Sequence, residues 1–347
     1  MTKPTVLFAW RRTPPPFLIG GAEVSQQLLA EEFAASGWNV LYLGCHEPPW
    51  KAPSDLPPMK KHLVEHRIPY EETAGDLRYV SNGVHCRAVR QGRLPAALDA
   101  MLRRHAPDLL ITAQEGASEL VVQARRRGVK VAAWLHSVSS TSLGALHGQP
   151  HYALATSRFV ASCARAQEET TVVLFYPPFT RPRPGSPATS DALLMINPVP
   201  QKGSALLHEL IQQQPRQPFT LVEGWWDTSN EFAHYPNVRY VHRTYDMHTL
   251  YAQHRLLLVP SVVDDAFPRV IIEAGLHGLP AIGSHVGGIP EAIGSGGVLV
   301  PRGASAHHWG QAICGTNRAH LSQRAQRRAE ALVRPCLPEL AIAGVIA

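Results

Sequence analysis

The chain has 347 residues, 45% of them hydrophobic and 17% charged, with a formal net charge of +6. A length of that order suggests about two domains, and the hydrophobic share excludes a disordered chain. The best apolar run, residues 256–263, falls well short of the ~18 residues that span a bilayer and is broken by Pro260.

The opening MTKPTVLFAWRRTPPP has too short an apolar stretch for a secretory signal. The five cysteines (Cys45, Cys86, Cys163, Cys314, Cys336) form no C-x-x-C pair, so neither a disulfide framework nor a zinc knuckle is expected. A soluble, cytoplasmic protein is the expectation. The basic residues are dispersed. The densest run, Arg125–Arg127 with Lys130, falls at a helix-to-strand junction, where cations suit the negative end of the helix dipole. No nucleic-acid partner is expected, and the oligomeric state is open.

Strands and helices alternate along the chain. Residues 5–10 form a short apolar run, and residues 22–36 carry Val24, Leu28, Leu29 and Phe33 on one helical stripe. Gly37 closes that helix, and residues 38–43 read as the next strand. Residues 45–86 are irregular, with a hairpin suggested by residues 70–72 and 78–89. Further strands are predicted at 108–112, 130–135, 152–156 and 171–175, spaced as parallel βαβ units require.

Residues 176–190, YPPFTRPRPGSPATS, hold five prolines and interrupt any helix or central strand. The alternation then restarts, with strands at 192–196, 219–223, 255–260 and 281–284. Helices are predicted at 204–213, 247–254 and 268–277, and another starts at Pro290. Residues 318–334 form a charged amphipathic helix, followed by the apolar tail PELAIAGVIA. The expected organisation is an N-terminal Rossmann-like domain (1–178), a linker (179–190), a C-terminal Rossmann-like domain (191–316), and a final helix and tail (317–347) packing back on the N-terminal domain. A cleft between two such α/β domains is the default ligand site.

The densest chemistry lies in residues 259–293. An apolar strand ends at Pro260-Ser261, and a polar turn carries Asp264 and Asp265. Pro268 then opens a helix at a position where its missing N–H costs nothing. The backbone N–H groups of residues 267–270, including Phe267, Arg269 and Val270, would point out of the helix N-terminus, an arrangement that suits a phosphate. Glu273 lies just over a turn further in, where a carboxylate can accept from ribose hydroxyls. Gly287-Gly288 permits a close backbone approach ahead of Pro290-Glu291.

This block resembles the C-terminal domain of GT-B glycosyltransferases, specifically the retaining family known as glycosyltransferase family 4, or group 1. The resemblance rests on the E-x7-E spacing of Asp265 and Glu273 and on the G-G-x-P-E turn at 287–291. Gly20-Gly21-Ala22-Glu23 looks like the family's diphosphate- and acceptor-facing loop. His136 stands where the family often places a cleft histidine, and residues 197–203, N-P-V-P-Q-K-G, occupy the place of its R-x4-K-G. The second half matches well, and residues 45–105 match little.

The resemblance implies a GT-B fold and transfer of a sugar from a nucleoside diphosphate sugar, with UDP-sugar favoured, to an acceptor hydroxyl with retention. No metal or other cofactor is implied. Lys202 and the helix N-terminus would neutralise the leaving phosphate, Glu273 would hold the ribose, and Asp265 would contact the donor sugar. Asn197 and Gly224 would flank the donor. Gly20 and Gly21 would face both the donor diphosphate and the acceptor, and His136 would contact the sugar or the acceptor, whether small metabolite, glycan or lipid carrier. The base-contacting loops are expected near Gly224-Trp225-Trp226 and His242-Arg243-Thr244.

Three departures from the family pattern stand out. Asn197 replaces an arginine, with Arg269 as a candidate substitute. Asp265 is one methylene shorter than the usual glutamate, and Pro268 replaces a glycine. They leave two alternatives open: a GT-B-like epimerase or phosphorylase, and a nucleotide-sugar-binding protein without transfer. G-x-G-x-x-G and the P-loop signature are absent, which argues against an NAD enzyme and a P-loop nucleotidase. His62 and His66, four residues apart, have no further paired ligand and read as a solvated helix face.

Overall fold

The computed structural model describes residues 3–17, 20–47, 56–166, 170–182, 190–224, 231–242, 244 and 246–347. The chain divides into two compact units, Met1–Pro178 with Pro335–Ala347, and Phe179–Arg334.

In the first unit the strands are β1 (Thr5–Ala9), β2 (Asn39–Cys45), β3 (Tyr70–Thr73), β4 (Asp76–Ser81), β5 (Val84–Val89), β6 (Leu109–Thr112), β7 (Lys130–Leu135), β8 (Tyr152–Ala155) and β9 (Thr171–Leu174). Among the described residues they form one sheet in the order β3-β4-β5-β2-β1-β6-β7-β8-β9. Strand β1 is buried along its whole length, as a central parallel strand covered on both faces must be. Its alternate residues divide between two cores. Val6 and Phe8 pack with Phe33, Tyr42 and Trp134 on one face, and Leu7 and Ala9 pack with Leu98, Leu110 and Val121 on the other.

The irregular stretch expected as a hairpin is a three-stranded meander. β3 and β5 both run antiparallel to β4, and β5 joins β2 in parallel. Its two turns, Ala74-Gly75 (φ 51° and 80°) and Asn82-Gly83 (φ 48° and 80°), have the paired left-handed residues of type I′ hairpins.

In the second unit the strands are β10 (Leu193–Ile196), β11 (Phe219–Val222), β12 (Val238–Val241), β13 (Leu256–Val259), β14 (Ala281–Ser284) and β15 (Gly297–Val300). Their order is β12-β11-β10-β13-β14-β15 with every pairing parallel. The direction of winding reverses between β10 and β13. In such sheets ligands bind beyond the carboxyl ends of the strands at that reversal.

Two boundaries differ from the sequence expectation. Residue 179, expected to begin a linker, packs into the second unit. Phe179 is buried, with the Arg269 guanidinium 4.4 Å from its ring centre and Phe267 beside it. Residues 183–189 of that linker lie outside the described residues. The closing stretch 317–347, expected as one piece, is divided. Helix Arg318–Glu330 stays with the second unit and lies against helix Arg269–Leu276, where a Cβ on Gly275 would come 2.9 Å from the Ala325 carbonyl oxygen. The tail returns to the first unit as helix Leu337–Ile342, burying Leu337, Leu340 and Val345 in its core. Glu32 Oε1 accepts from the Cys336 and Leu337 backbone N–H groups at 2.6 and 2.9 Å and so satisfies that helix start.

Candidate functional site

The site in the second unit grows from the loops after β10 and β13. Past the end of β10, Asn197 turns into the left-handed region (φ 59°). Its side chain lies over Gly224, where an added Cβ would come 2.0 Å from Asn197 Oδ1. That oxygen is buried and has no hydrogen-bond partner among the described residues. The chain then makes a single 3-10 turn, Pro200–Lys202, and Gly203 (φ 92°) starts helix Ser204–Gln213. Gly203 is required twice over, by its positive φ and because a Cβ would meet the Pro260 carbonyl oxygen at 2.2 Å. The Val262 N–H donates to the Gln201 carbonyl at 3.1 Å, so the two loops are bonded to each other.

That contact brings Lys202 to Asp265. Lys202 Nζ donates to Asp265 Oδ1, while Ser261 Oγ donates to Oδ2 at 2.5 Å. The backbone behind Asp265 is equally fixed. Gly288 N–H donates to its carbonyl at 2.6 Å, and a Cβ on Gly288 would sit 1.9 Å from the Ala266 oxygen. The glycine pair singled out in the sequence therefore carries the carboxylate loop.

Beyond it, Phe267 is buried and Pro268 precedes helix Arg269–Leu276, which has no side-chain cap. Such a helix end presents N–H groups and the positive end of the dipole, both suited to an anion. Glu273 is held from two sides, by Arg269 Nε on Oε1 at 3.1 Å and by Tyr251 Oη on Oε2 at 3.0 Å. Arg269, considered above as a stand-in for the missing arginine, is buried, paired with Glu273 and stacked on Phe179. Val270 is half-buried in the same turn. Trp225, Trp226 and Arg243, expected in the base-contacting loops, lie outside the described residues.

The first unit has its own reversal between β1 and β6. Gly20, in extended conformation (φ −150°), precedes helix Gly21–Ala35, which also lacks a side-chain cap. Sequence reasoning missed the charged cluster beside it. Arg12 binds Glu115 through two parallel bonds (2.9 and 2.8 Å) and Glu23 through a third (2.9 Å), with Glu23 only 3% exposed. Burial disfavours the Arg12 charge, but the two carboxylates outweigh it and raise its pKa. His136 follows β7, half-buried, its ring centre 4.6 Å from that of Trp134.

Among the described residues, no three or more His, Cys, Asp or Glu side chains converge as metal ligands, and no helix is long and apolar enough to cross a membrane.

The chain thus has two doubly wound α/β units, and an ammonium, a carboxylate and a helix start without a side-chain cap lie at the topological reversal of the second. Residues 199–316 match the model of the family described as Glycosyl transferases group 1. Among solved structures, the chain is similar to sucrose-phosphate synthase from Thermosynechococcus elongatus (20% identity, TM-score 0.74, covering 99% of this chain and 98% of that one). It is also similar to HepE from Anabaena, solved in complex with UDP and glucose (17% identity, TM-score 0.72, 98% of each chain). A third is the lipopolysaccharide outer core galactosyltransferase WaaB (15% identity, TM-score 0.66, covering 98% of this chain and 99% of that one). The fold is that of GT-B glycosyltransferases. No protein of curated function matches the chain.

Proposed function

We propose that the protein is a retaining glycosyltransferase that moves a hexose-type sugar from a nucleoside diphosphate sugar, UDP-sugar first, to an acceptor hydroxyl. The observation that carries this reading is the Lys202–Asp265 pair at the β10/β13 reversal, next to the uncapped start of helix Arg269–Leu276. The similarity to HepE, solved with UDP-glucose, supports the choice of base.

In this reading Lys202 and the helix N-terminus neutralise the diphosphate, and Glu273 accepts from the ribose hydroxyls. Asp265, once Lys202 turns to phosphate, accepts from the sugar. The bond from the anomeric carbon to the phosphate oxygen breaks and the acceptor oxygen bonds that carbon on the same face. The acceptor proton passes to the departing phosphate oxygen. Charge stabilisation of the leaving group by one well-placed donor contributes about 3 kcal/mol. The reaction needs no resident metal ion or other cofactor, and activity should survive chelator.

Gly20, Gly21 and His136 of the first unit serve the acceptor. Arg12, bonded to both Glu23 and Glu115, ties the chain just after β1 to the start of helix Gly21–Ala35. The chain works in the cytoplasm, consistent with its free cysteines. Incubation with UDP-glucose and an acceptor panel tests the proposal. The anomeric coupling of the product in NMR reports retention, and an inverted product refutes it. Turnover that requires inorganic phosphate would instead indicate a phosphorylase.

A further inference from the structure

We infer that Tyr251 is a positioning residue for the donor: it fixes the carboxylate of Glu273 in the orientation that accepts a ribose diol. The inference rests on the proposed nucleotide-sugar reading and adds a residue to it.

Tyr251 lies on helix Met247–Gln253 and is 3% exposed. Its ring lies beside His277 at a tilt of 32°, with centroids 5.9 Å apart, and its hydroxyl donates to Glu273 Oε2 at 3.0 Å. Arg269 Nε holds the other oxygen at 3.1 Å. The terminal torsion of a glutamate is broad when nothing holds it. Here each oxygen carries one donor from the protein, and the carboxylate plane is set.

An ionised carboxylate has about four acceptor positions, two on each oxygen. One on each is taken, and one on each remains. Glu273 is 29% exposed, so the open positions have access to solvent. That is the arrangement a vicinal diol needs, two hydroxyls donating to two oxygens of one fixed plane. Burial, and then the nearby Glu273 charge, hold the Tyr251 phenol well above its ordinary pKa, so it stays a donor throughout the working range.

Tyr251→Phe keeps the ring and removes only the hydroxyl. Wild type and variant are titrated calorimetrically with UDP and with 2′,3′-dideoxy-UDP, after thermal melts establish that both are folded. Wild type should prefer UDP, and the variant should bind UDP roughly tenfold more weakly, equivalent to about 1.4 kcal/mol. Both proteins should bind the dideoxy nucleotide equally. In turnover the donor KM should rise by the same factor with kcat retained, the signature of lost uniform binding.

Equal weakening of both nucleotides in the variant would mean that Tyr251 only supports the structure and would overturn the inference. Unchanged binding of both would do the same. A wild type that binds UDP and dideoxy-UDP alike would remove the ribose role of Glu273, and Tyr251's role with it. A wild type that binds neither would refute the nucleotide reading itself.

Discussion

Lys202 and Asp265, 63 positions apart in the chain, form an ion pair between the loops that follow β10 and β13. The pair holds the ammonium at the sheet's reversal, and in the proposed reaction Lys202 would turn from Asp265 to the phosphate. Ser261 Oγ donates to the other carboxylate oxygen of Asp265 at 2.5 Å.

Lys202→Ala should lower kcat/KM for UDP-glucose by about 100- to 1000-fold, the cost typical of removing one donor to a developing anion. Lys202→Arg should recover part of the loss, because the charge returns in a different shape. Steady-state kinetics with a fixed acceptor would show this. An alanine variant within threefold of wild type would remove Lys202 from the leaving-group role.

The turn beneath Asp265 should be intolerant of a methyl group. Gly288→Ala would place a carbon 1.9 Å from the Ala266 carbonyl oxygen, which is backbone and cannot swing aside. Displacing it should cost about 1–3 kcal/mol, as overpacking does, and weaken donor binding. Gly37→Ala is the control. Nothing lies within 4 Å of its Cβ position, so it carries only the strain of its φ of 88°. Thermal unfolding of the two variants should separate them.

In the first unit, Glu23→Ala would remove one of the two carboxylates that pair with the largely buried Arg12. Removing one partner of a buried ion pair costs about 3–5 kcal/mol, and the exposure of Glu115 (25%) places this case near the lower end. Urea unfolding should show the transition of the first unit moving to lower denaturant. An unchanged midpoint would mean that Glu23 contributes nothing to holding Arg12.

The second unit should lose stability in mild acid. Burial lowers the pKa of His254 below its ordinary 6.5, and burial followed by His248 lowers that of His277. The unfolded chain therefore binds more protons than the folded one as pH falls below 6.5, and stability rises with pH across that window. The contribution is fully present above 6.5 and is lost as pH falls through the folded values. Melting temperatures from pH 7.5 to 5 should decline, and His277→Asn should flatten part of the decline.

Strands β10, β11, β13 and β14 of the second unit were legible in the sequence because they are short, mainly apolar runs, whereas β12, with Arg239 in its middle, and β15 were not. Lys202–Gly203, Asp265 and Gly287–Gly288 fall in the loops that follow β10, β13 and β14, and Glu273 in the helix after β13. The meander at β3–β5 carries its own local signal in Asn82-Gly83, a pair that favours a type I′ turn. Other features had no local signal. Helix Leu337–Ile342 is started by Glu32, about 300 residues away, so PELAIAGVIA alone reads only as an apolar tail. The pairing of Tyr251 with Glu273 and the Arg12–Glu23–Glu115 cluster depend on which strands become neighbours, and residue types alone do not specify that order.

The most direct test of the account is a thermal-shift panel of nucleoside diphosphates on wild type, Lys202→Ala and Glu273→Ala. A ligand that binds only the folded state, at about 100 times its Kd, adds roughly 2.7 kcal/mol. The account predicts that UDP raises the melting temperature of wild type and has little effect on either variant. A wild type that no nucleoside diphosphate stabilises would contradict it.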